Sequence, residues 1–567
     1  MKVSDKYSAQ LLAEIMRAKG IKEVVFSPGS RNAPLINTFA SSPGFKCYTI
    51  VDERSAAFFA LGMAIQSGRT VAIACTSGSA MLNYAPAIAE AYYQKIPLLV
   101  LTADRPAEWI DQGDGQTIRQ RDAFRNFIRG SYELPQHPET ADSRWMTNRL
   151  VNEAINKCRF PVPGPVHINL PFAEPLYGIT ETEPEKPRII HQPNPKYSIA
   201  DADLRQFADL INNTEKVMLL AGQNNGDIVM NDALRKIAAL PQCILLTENI
   251  SNLKNENGVG CIDKLLSVIG DRQKDFAPTL LITFGEAVVS KRIKTFLRKH
   301  KPTHHLHANA APDHTDTYQC LTQSIQTEAA VFFDQLAPLL QEGNSNYHQQ
   351  WKEQCAFANR RHNEFLKQCP FTDFKAYALI FDELPLPVDL HQGNSSPVRY
   401  GQLFDHPAGM RHFANRGTSG IDGCLSTAAG AAHLSGNLTV AIVGDLSFFY
   451  DSNALWNNYL NKNLRIIVIN NGGGNIFRII PGPSDTDHLE TIFEARHQRS
   501  AIALAKSFDI KCFEAADEQT LAEVLPAFLD PTAEAPALLE IRTDGQRSAM
   551  VLNDYFKYLE TGSFDNK

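Results

Sequence analysis

Short runs of consecutive apolar residues recur along the chain, each closing on a small, polar or acidic residue, with stretches of helical spacing between them. In the first third the runs are EVVFSPGS (23–30), TVAIACTSGS (70–79) and PLLVLTADRP (97–106), and SAAFFALGMAIQSG (55–68) has helical spacing. The middle third repeats the style with KVMLLAGQ (216–223), CILLTEN (243–249) and TLLITFGEAVV (279–289). The last third has LTVAIVGDLS (438–447), LRIIVINNGGG (464–474) and ALLEIRTDG (537–545). Strands that are apolar on both faces and alternate with helices predict α/β domains, each with a mostly parallel sheet flanked by helices. Ligands of such sheets bind beyond the carboxyl ends of the strands, so the residues just after each run are the chemical candidates.

Two polar segments interrupt this rhythm. Residues 181–197 (ETEPEKPRIIHQPNPKY) are rich in proline and charge, which rules out a central strand or a helix interior, and residues 341–349 form a polar, glycine-containing stretch. They divide the chain into expected domains 1–182, 198–340 and 350–567. A length of 567 residues fits about three domains of roughly 100–200 residues each. The formal charge of −7 argues against non-specific nucleic-acid binding, which needs a basic surface. The first residues, MKVSDKYSAQLLAEI, lack the apolar run of a secretory signal, and no stretch has the roughly 20 apolar residues of a membrane span. The ten cysteines show neither C-x-x-C spacing nor a metal-ligand pattern, so reduced thiols in a cytoplasmic protein are the expectation.

The segment from Leu438 to Phe477 carries the most chemistry. A strand ending at Gly444-Asp445, a helix expected over about 452–460 and a second strand ending at Asn470-Asn471 make one βαβ unit, which delivers Asp445 and Asn471 to the same sheet edge. A carboxylate and an amide oxygen are hard ligands suited to Mg²⁺, which completes its shell with phosphate oxygens and water. The glycines that follow, Gly472 to Gly474, let the backbone approach a ligand and offer carbonyl or N–H groups. Taken singly, GD is a turn and NNGGG a loop; the pairing after two apolar strands is what favours a metal and a diphosphate. In the first third, Glu53 stands where a strand meets a helix, between SPGSRNAPL (27–35) and TSGSA (76–80). An acid there is also what a helix N-terminus favours, and Asp52 would serve that purpose equally well.

These motifs resemble those of the thiamine-diphosphate-dependent enzymes, whose cofactor signature is Gly-Asp-Gly, a spacer and Asn-Asn; here Gly444-Asp445-Leu446 loses one glycine and keeps the metal ligand. The resemblance implies the thiamine-diphosphate-binding fold, a metal (Mg²⁺ or Mn²⁺) held by Asp445, the Asn471 side chain and the Gly473 carbonyl, and Glu53 as the acid that activates the aminopyrimidine. It further implies cofactor contacts from Thr76, Ser395, Gly420, Ile421, Gly444, Leu446, Ser447, Asn475 and Ile476, with Ile421 wedging the cofactor into its bent shape. Because the family places the acid across a subunit interface from the metal, a homodimer or homotetramer is implied.

A narrower resemblance rests on SPGSRNAPL, TADRPAEWIDQGDGQTIRQ (102–120), GNSSPVRY (393–400), NRGTSGIDGCLSTAAG (415–430) and NNGGGNIF (470–477), strings spread over the chain, and it is to the menaquinone-pathway branch of the family. It implies a transferase that decarboxylates 2-oxoglutarate and adds the acyl unit to isochorismate, a 1,4-addition. Both substrates are dicarboxylates, and the planar fork of arginine suits carboxylates. Arg31, Arg105, Arg399 and Arg416 stand in the strand-end motifs, and Lys291-Arg292 follows the TFGEAVVS run; each alone could equally be a surface charge or a structural ion pair. By the resemblance, Ser30, Arg31, Arg105, Gln116, Lys291 and Arg292 face isochorismate, Ser395, Arg399 and Arg416 hold the carboxylate of the oxo acid, and Ile476 and Phe477 line the thiazolium region, with Gln116, Arg399 and Arg416 joining Glu53 in catalysis. Gly115 replaces the asparagine usual before that glutamine, leaving a contact missing or taken over by Asp114 or Thr117. The Gly222–Gly226 loop does not fit G-x-G-x-x-G, so no dinucleotide is expected in the middle domain. Two rivals stay open: an acetohydroxyacid-synthase-type carboligase, which would need an apolar acceptor pocket, and a non-catalytic interaction protein on the same scaffold.

Overall fold

The apolar runs become strands of three parallel sheets, inner ones except for Cys243–Thr247, which forms an edge of the middle sheet. The computed structural model describes residues 2–181, 185–193, 195, 197–480 and 482–563; positions 1, 182 and 567, which bound the expected domains, lie outside them. The first sheet has six strands in the order Lys46–Thr49, Glu23–Phe26, Val71–Cys75, Leu98–Asp104, Val166–Pro171, Ser131–Glu133. The third sheet orders Met410–Phe413, Val388–Gln392, Leu438–Gly444, Leu464–Asn470, Ala537–Arg542 and Lys511–Ala515 in the same way: second, first, third, fourth, sixth, fifth. Between them in sequence, a five-stranded sheet runs Cys243–Thr247, Val217–Ala221, Leu280–Phe284, His304–Ala308, Gln323–Ile325. Every strand pair inside these sheets is parallel. Parallel neighbours need crossover connections, here helical, and the helices that cover both faces explain why the strands are apolar on both sides.

The outer two sheets share one core through two helices, Glu53–Ser67 and Cys424–Leu434. Both helices are buried along most of their length and rich in alanine and glycine, so their backbones come close. A Cβ on Gly62 would run into the Thr427 carbonyl, and one on Gly430 into the Phe59 carbonyl, so a side chain at either position would force the two helices apart. The middle sheet is tied to the third in a second core that joins Met218, Leu220 and Ile244 to Val388, Leu390 and Val440. Among the described residues no helix is long and apolar enough to cross a membrane.

One element differs from its expectation. Instead of a helix over 452–460, a helix begins at the metal-ligand candidate itself, Asp445–Tyr450, and one 3-10 turn, Ser452–Leu455, follows it. The asparagines of this stretch compete with the helix for backbone groups: Asn457 Nδ2 donates to the Ala454 carbonyl (2.6 Å) and Asn457 Oδ1 accepts from Tyr459 N–H (2.8 Å).

Candidate active site

At the carboxyl edge of the third sheet, a cleft is lined by Ser395, Ile421, Gly444, Asp445, Leu446, Ser447, Asn471, Gly473, Asn475, Ile476 and Phe477 among others. The Asp445 carboxylate is buried, and its Oδ2 accepts the N–H groups of Gly472 (2.8 Å) and Gly473 (2.9 Å) while Oδ1 accepts from Leu446 N–H (2.6 Å). Gly473 has a φ of +153°, and a Cβ there would sit 2.6 Å from the Glu494 carbonyl, which fixes glycine at this point of the loop. Burial pushes the Asp445 pKa up to about 7 against these hydrogen bonds, with nearby Asp373 adding to the rise. A buried carboxylate beside a second acid is an arrangement that a divalent cation would relieve.

Asp373, which sequence reasoning missed, sets the other ligand. Its Oδ2 accepts from Asn471 Nδ2 at 2.9 Å, so the amide nitrogen is engaged and the amide oxygen remains for a cation. Thr543 (2.5 Å) and Ser548 (3.1 Å) donate to the other oxygen of Asp373, locking it in place. Asn475, also on the cleft wall, is buried with both amide atoms free of hydrogen bonds among the described residues. Oxygen donors from Asp445, Asn471 and the glycine loop, with an orphaned amide beside them, suit Mg²⁺ and a diphosphate. Ser447 Oγ donates to the Ile421 carbonyl (3.1 Å), holding that side chain's loop against the cleft.

The cations fall into two groups. Arg416 and Arg399 stand beside the cleft, with Arg416 Nη1 donating to Asn394 Oδ1 (2.8 Å) and Asn394 Nδ2 donating to the Asn415 (2.6 Å) and Gly420 (2.7 Å) carbonyls. Ser395, next to Asn394, has a φ of +73°, a strained backbone of the kind found at ligand sites. The middle sheet supplies the counter-charge. Glu248 accepts from Val289 and Ser290 N–H (both 2.7 Å), its pKa is pushed up to about 7 by burial, and Arg416 opposes that rise. Asp263, bonded to Ser290 Oγ, feels Arg292 and Arg399. Arg292 lies over the Phe556 ring, 4.1 Å from its centroid, and Lys291 is exposed at the start of the helix Lys291–Lys299. Within the chain, Arg292 is therefore associated with Arg399 rather than with the arginines of the first sheet.

The second group closes the first sheet. Arg31 is buried, donates to the Phe172 carbonyl (2.9 Å) and pairs with Glu174 (3.2 Å), and its backbone N–H donates to Thr76 Oγ1 (3.2 Å). Arg105 pairs with Asp114 (3.1 Å) and donates to the Gly115 carbonyl (2.9 Å), so Asp114 is committed to the arginine. Gln116 is exposed with a φ of +54°, and its backbone packs against Gly78 of the Thr76 loop. Ser30 is exposed at the mouth of the same loops. Nε of Arg31, Arg105, Arg399 and Arg416 is buried without a hydrogen-bond partner among the described residues, as it is in Arg17 and Arg54. Guanidinium groups left short of acceptors at strand ends suit anionic ligands.

Glu53 is the first residue of its helix, and Asp52 is the cap, accepting from Ser55 N–H (3.0 Å). The capping duty thus belongs to Asp52. Glu53 instead accepts from Asn83 Nδ2 (3.3 Å), and it adds to the rise in pKa that burial imposes on Cys75 and Tyr84. Its neighbours hold the third domain: Asn453 donates to Asp52 (2.6 Å) and Arg54 to the Tyr450 carbonyl (2.6 Å). Glu53 itself does not line the Asp445 cleft of its own chain. Glu90 was also missed; it is buried and accepts the N–H groups of Gly417 and Thr418 (both 2.7 Å), fixing the loop that carries Arg416. Asp373, Asn394, Glu90 and Glu248 act on other side chains or loops from distant points of the sequence, and nothing in their local pattern marks them.

Comparison with known proteins defines the class. Residues 7–124 match the N-terminal thiamine-pyrophosphate-binding domain of thiamine pyrophosphate enzymes, and residues 395–541 match the C-terminal one. A crystal structure described as a thiamin diphosphate-dependent enzyme isolated from Mycobacterium smegmatis superposes with a TM-score of 0.69 over 95% of this chain and 99% of that one; at 18% identity it shares the fold. Curated relatives named 2-succinyl-5-enolpyruvyl-6-hydroxy-3-cyclohexene-1-carboxylate synthase are more similar in sequence. Those of Porphyromonas gingivalis (41% identity, 99% of this chain, 98% of the relative), Flavobacterium psychrophilum (42%, 97% and 98%) and Bacteroides fragilis (38%, 98% and 100%) align over nearly the full length. The chain belongs to the 2-succinyl-5-enolpyruvyl-6-hydroxy-3-cyclohexene-1-carboxylate synthase family of thiamine-diphosphate-dependent enzymes.

Proposed function

We infer that the chain decarboxylates 2-oxoglutarate and adds the four-carbon acyl unit to isochorismate, releasing CO₂ and giving 2-succinyl-5-enolpyruvyl-6-hydroxy-3-cyclohexene-1-carboxylate for menaquinone biosynthesis. What supports this reading is the cleft of Asp445, Asn471 and Asn475, with Arg416 bonded to Asn394 on its wall, together with a second set of arginines, Arg31 and Arg105, at the strand ends of the first sheet. Asp445, Asn471 and the Gly473 carbonyl would hold Mg²⁺ or Mn²⁺, and the backbone about Ser395, Gly420, Gly444 to Ser447 and Asn475 would hold the diphosphate. When bound, thiamine diphosphate supplies the nucleophilic carbon and electron sink for decarboxylation and acyl transfer.

Glu53 binds the ring nitrogen of the aminopyrimidine and moves a proton at that atom. Ser395, Arg399 and Arg416 hold the 2-oxoglutarate carboxylate. Ser30, Arg31, Arg105, Gln116, Lys291 and Arg292 receive isochorismate, and Ile476 and Phe477 keep water from the reacting carbon. Since Glu53 is absent from the Asp445 cleft of its own chain, a second copy supplies it, and the active unit is a homodimer or a dimer of dimers. The unpaired cysteines support a cytoplasmic setting. Mixing the protein with thiamine diphosphate, Mg²⁺, 2-oxoglutarate and isochorismate should consume isochorismate, followed by its absorbance. Turnover only with a different acceptor would transfer the assignment to an acetohydroxyacid-synthase-type carboligase, and no turnover with any acceptor to a binding role.

A further inference from the structure

The middle sheet carries a side-chain cluster that the reaction above does not use. His305 is fully buried in the strand His304–Ala308, while half-buried Cys320 and exposed Asp316 lie on the connection to the next strand. Cys320 Sγ is 3.8 Å from His305 Nδ1, and ligand atoms of His305, Asp316 and Cys320 all lie within 4.8 Å of one another. A tetrahedral ion with metal–nitrogen and metal–sulfur bonds of about 2.0 and 2.3 Å sets those two ligands about 3.5 Å apart, close to what the side chains already offer. A nitrogen, a sulfur and a carboxylate oxygen form the donor set of a borderline ion of the zinc class, whereas Mg²⁺ takes oxygen alone.

The far side of the imidazole supports the same conclusion independently. His305 Nε2 is 2.8 Å from Thr283 Oγ1, and that hydroxyl is also 2.8 Å from His307 Nδ1. A hydroxyl has one proton, so it accepts from one ring and donates to the other. When it accepts from His305 Nε2–H, the Nδ1 lone pair of His305 is directed to the Cys320 side, the tautomer a metal needs. Anchoring of the non-ligating nitrogen is the usual support of a metal-bound histidine. Asp316 is held as well: its Oδ1 accepts from Cys320 N–H (2.9 Å) and Leu321 N–H (3.1 Å), leaving the other oxygen available.

We propose that His305, Asp316 and Cys320 bind one zinc-class divalent ion, with water in the fourth position, and that the ion clips the connection after Ala308 to the middle sheet. On binding, a metal–sulfur bond replaces the S–H bond of Cys320 and the thiol proton passes to solvent. The test uses the protein saturated with Mg²⁺ and thiamine diphosphate, titrated with Co²⁺ as the probe. One equivalent should give a thiolate-to-cobalt charge-transfer absorption in the near ultraviolet with tetrahedral bands in the visible, and Zn²⁺ should displace both. Cys320→Ser should lose the charge-transfer absorption, and Thr283→Val should weaken Co²⁺ binding about 10- to 100-fold. Absence of the band in the unmodified protein, or its survival in Cys320→Ser, would overturn the proposal. Should Cys320→Ser fail to fold, the exposed Asp316→Asn decides instead: weakened Co²⁺ affinity supports the site and unchanged affinity rejects it.

Discussion

The first and third sheets have one strand order and carry different chemistry at equivalent strand ends. After the third strand the first sheet has Thr76-Ser77-Gly78, and the third sheet has Asp445 following Gly444. At the fourth strand the pairs are Asp104-Arg105 and Asn470-Asn471; after the first strand the loops lead to Ser30-Arg31 and to Ser395 with Arg399. The scaffold decides where side chains converge, and the residue types there decide whether the edge suits a metal or an anion. A buried strand-end acid occurs in both. Asp104 is satisfied by Asn169 Nδ2 (2.8 Å) and Arg105 N–H (2.7 Å), with a pKa of about 6 raised by burial, while Asp445 shares its cleft with Asp373 and a glycine loop. The first acid is satisfied by its neighbours, while the second stands beside another acid, a setting that a divalent cation would relieve.

Substitutions can break this contrast, beginning with the severest. Asp445→Ala should abolish Mg²⁺-dependent binding of thiamine diphosphate, measured by calorimetry, with the circular dichroism spectrum preserved; unchanged affinity would put the metal elsewhere. Glu53→Gln should lower turnover by about two to four orders of magnitude without loss of fold, since the cap on its helix is Asp52. Near-normal turnover would detach the first sheet from the chemistry. Asp373→Ala should weaken Mg²⁺ binding by about 10- to 100-fold, because Asn471 loses the acceptor that orients its amide. Arg416→Ala should reduce kcat/KM for 2-oxoglutarate by about tenfold or more, a charge-assisted hydrogen bond's worth, and for pyruvate by less; equal losses for both acids would count against a carboxylate clamp. The smallest effect is expected away from the site. Gly62→Ala overpacks the crossing between the outer sheets and should destabilise the protein by about 1–3 kcal/mol in denaturant unfolding while leaving KM unchanged.

The strands made of continuous apolar residues were legible because parallel sheets bury both faces and so leave such runs. Strands that carry polar side chains gave no such run. Val388–Gln392 contains Asp389, which is buried but bonded to Arg411 (2.7 Å) and Ser435 (2.6 Å), and Val166–Pro171 contains His167, bonded to Thr102 (2.7 Å). Each polar side chain bonds a partner well separated along the chain, which a periodicity cannot show. The helix expected over 452–460 failed for the opposite reason, a local one, since asparagine side chains there took the backbone groups a helix needs. Of the candidate site, the placing of Asp445 and Asn471 at one sheet edge was legible from two strand ends, whereas Asp373, which bonds Asn471, was not.

By itself the sequence determined the class of architecture, the edge of the sheet where chemistry gathers, and the residue types offered there, because those depend on local pattern and on the fixed geometry of a βαβ unit. Only the tertiary structure decided that Asp373 turns the Asn471 amide, that Glu248 and Asp263 of the middle domain lie near Arg399 and Arg416, and that Glu53 does not line the Asp445 cleft of its own chain. Those relations join points up to several hundred residues apart, and a contact across such a separation is set by how the sheets and helices pack, which no local run of residues encodes.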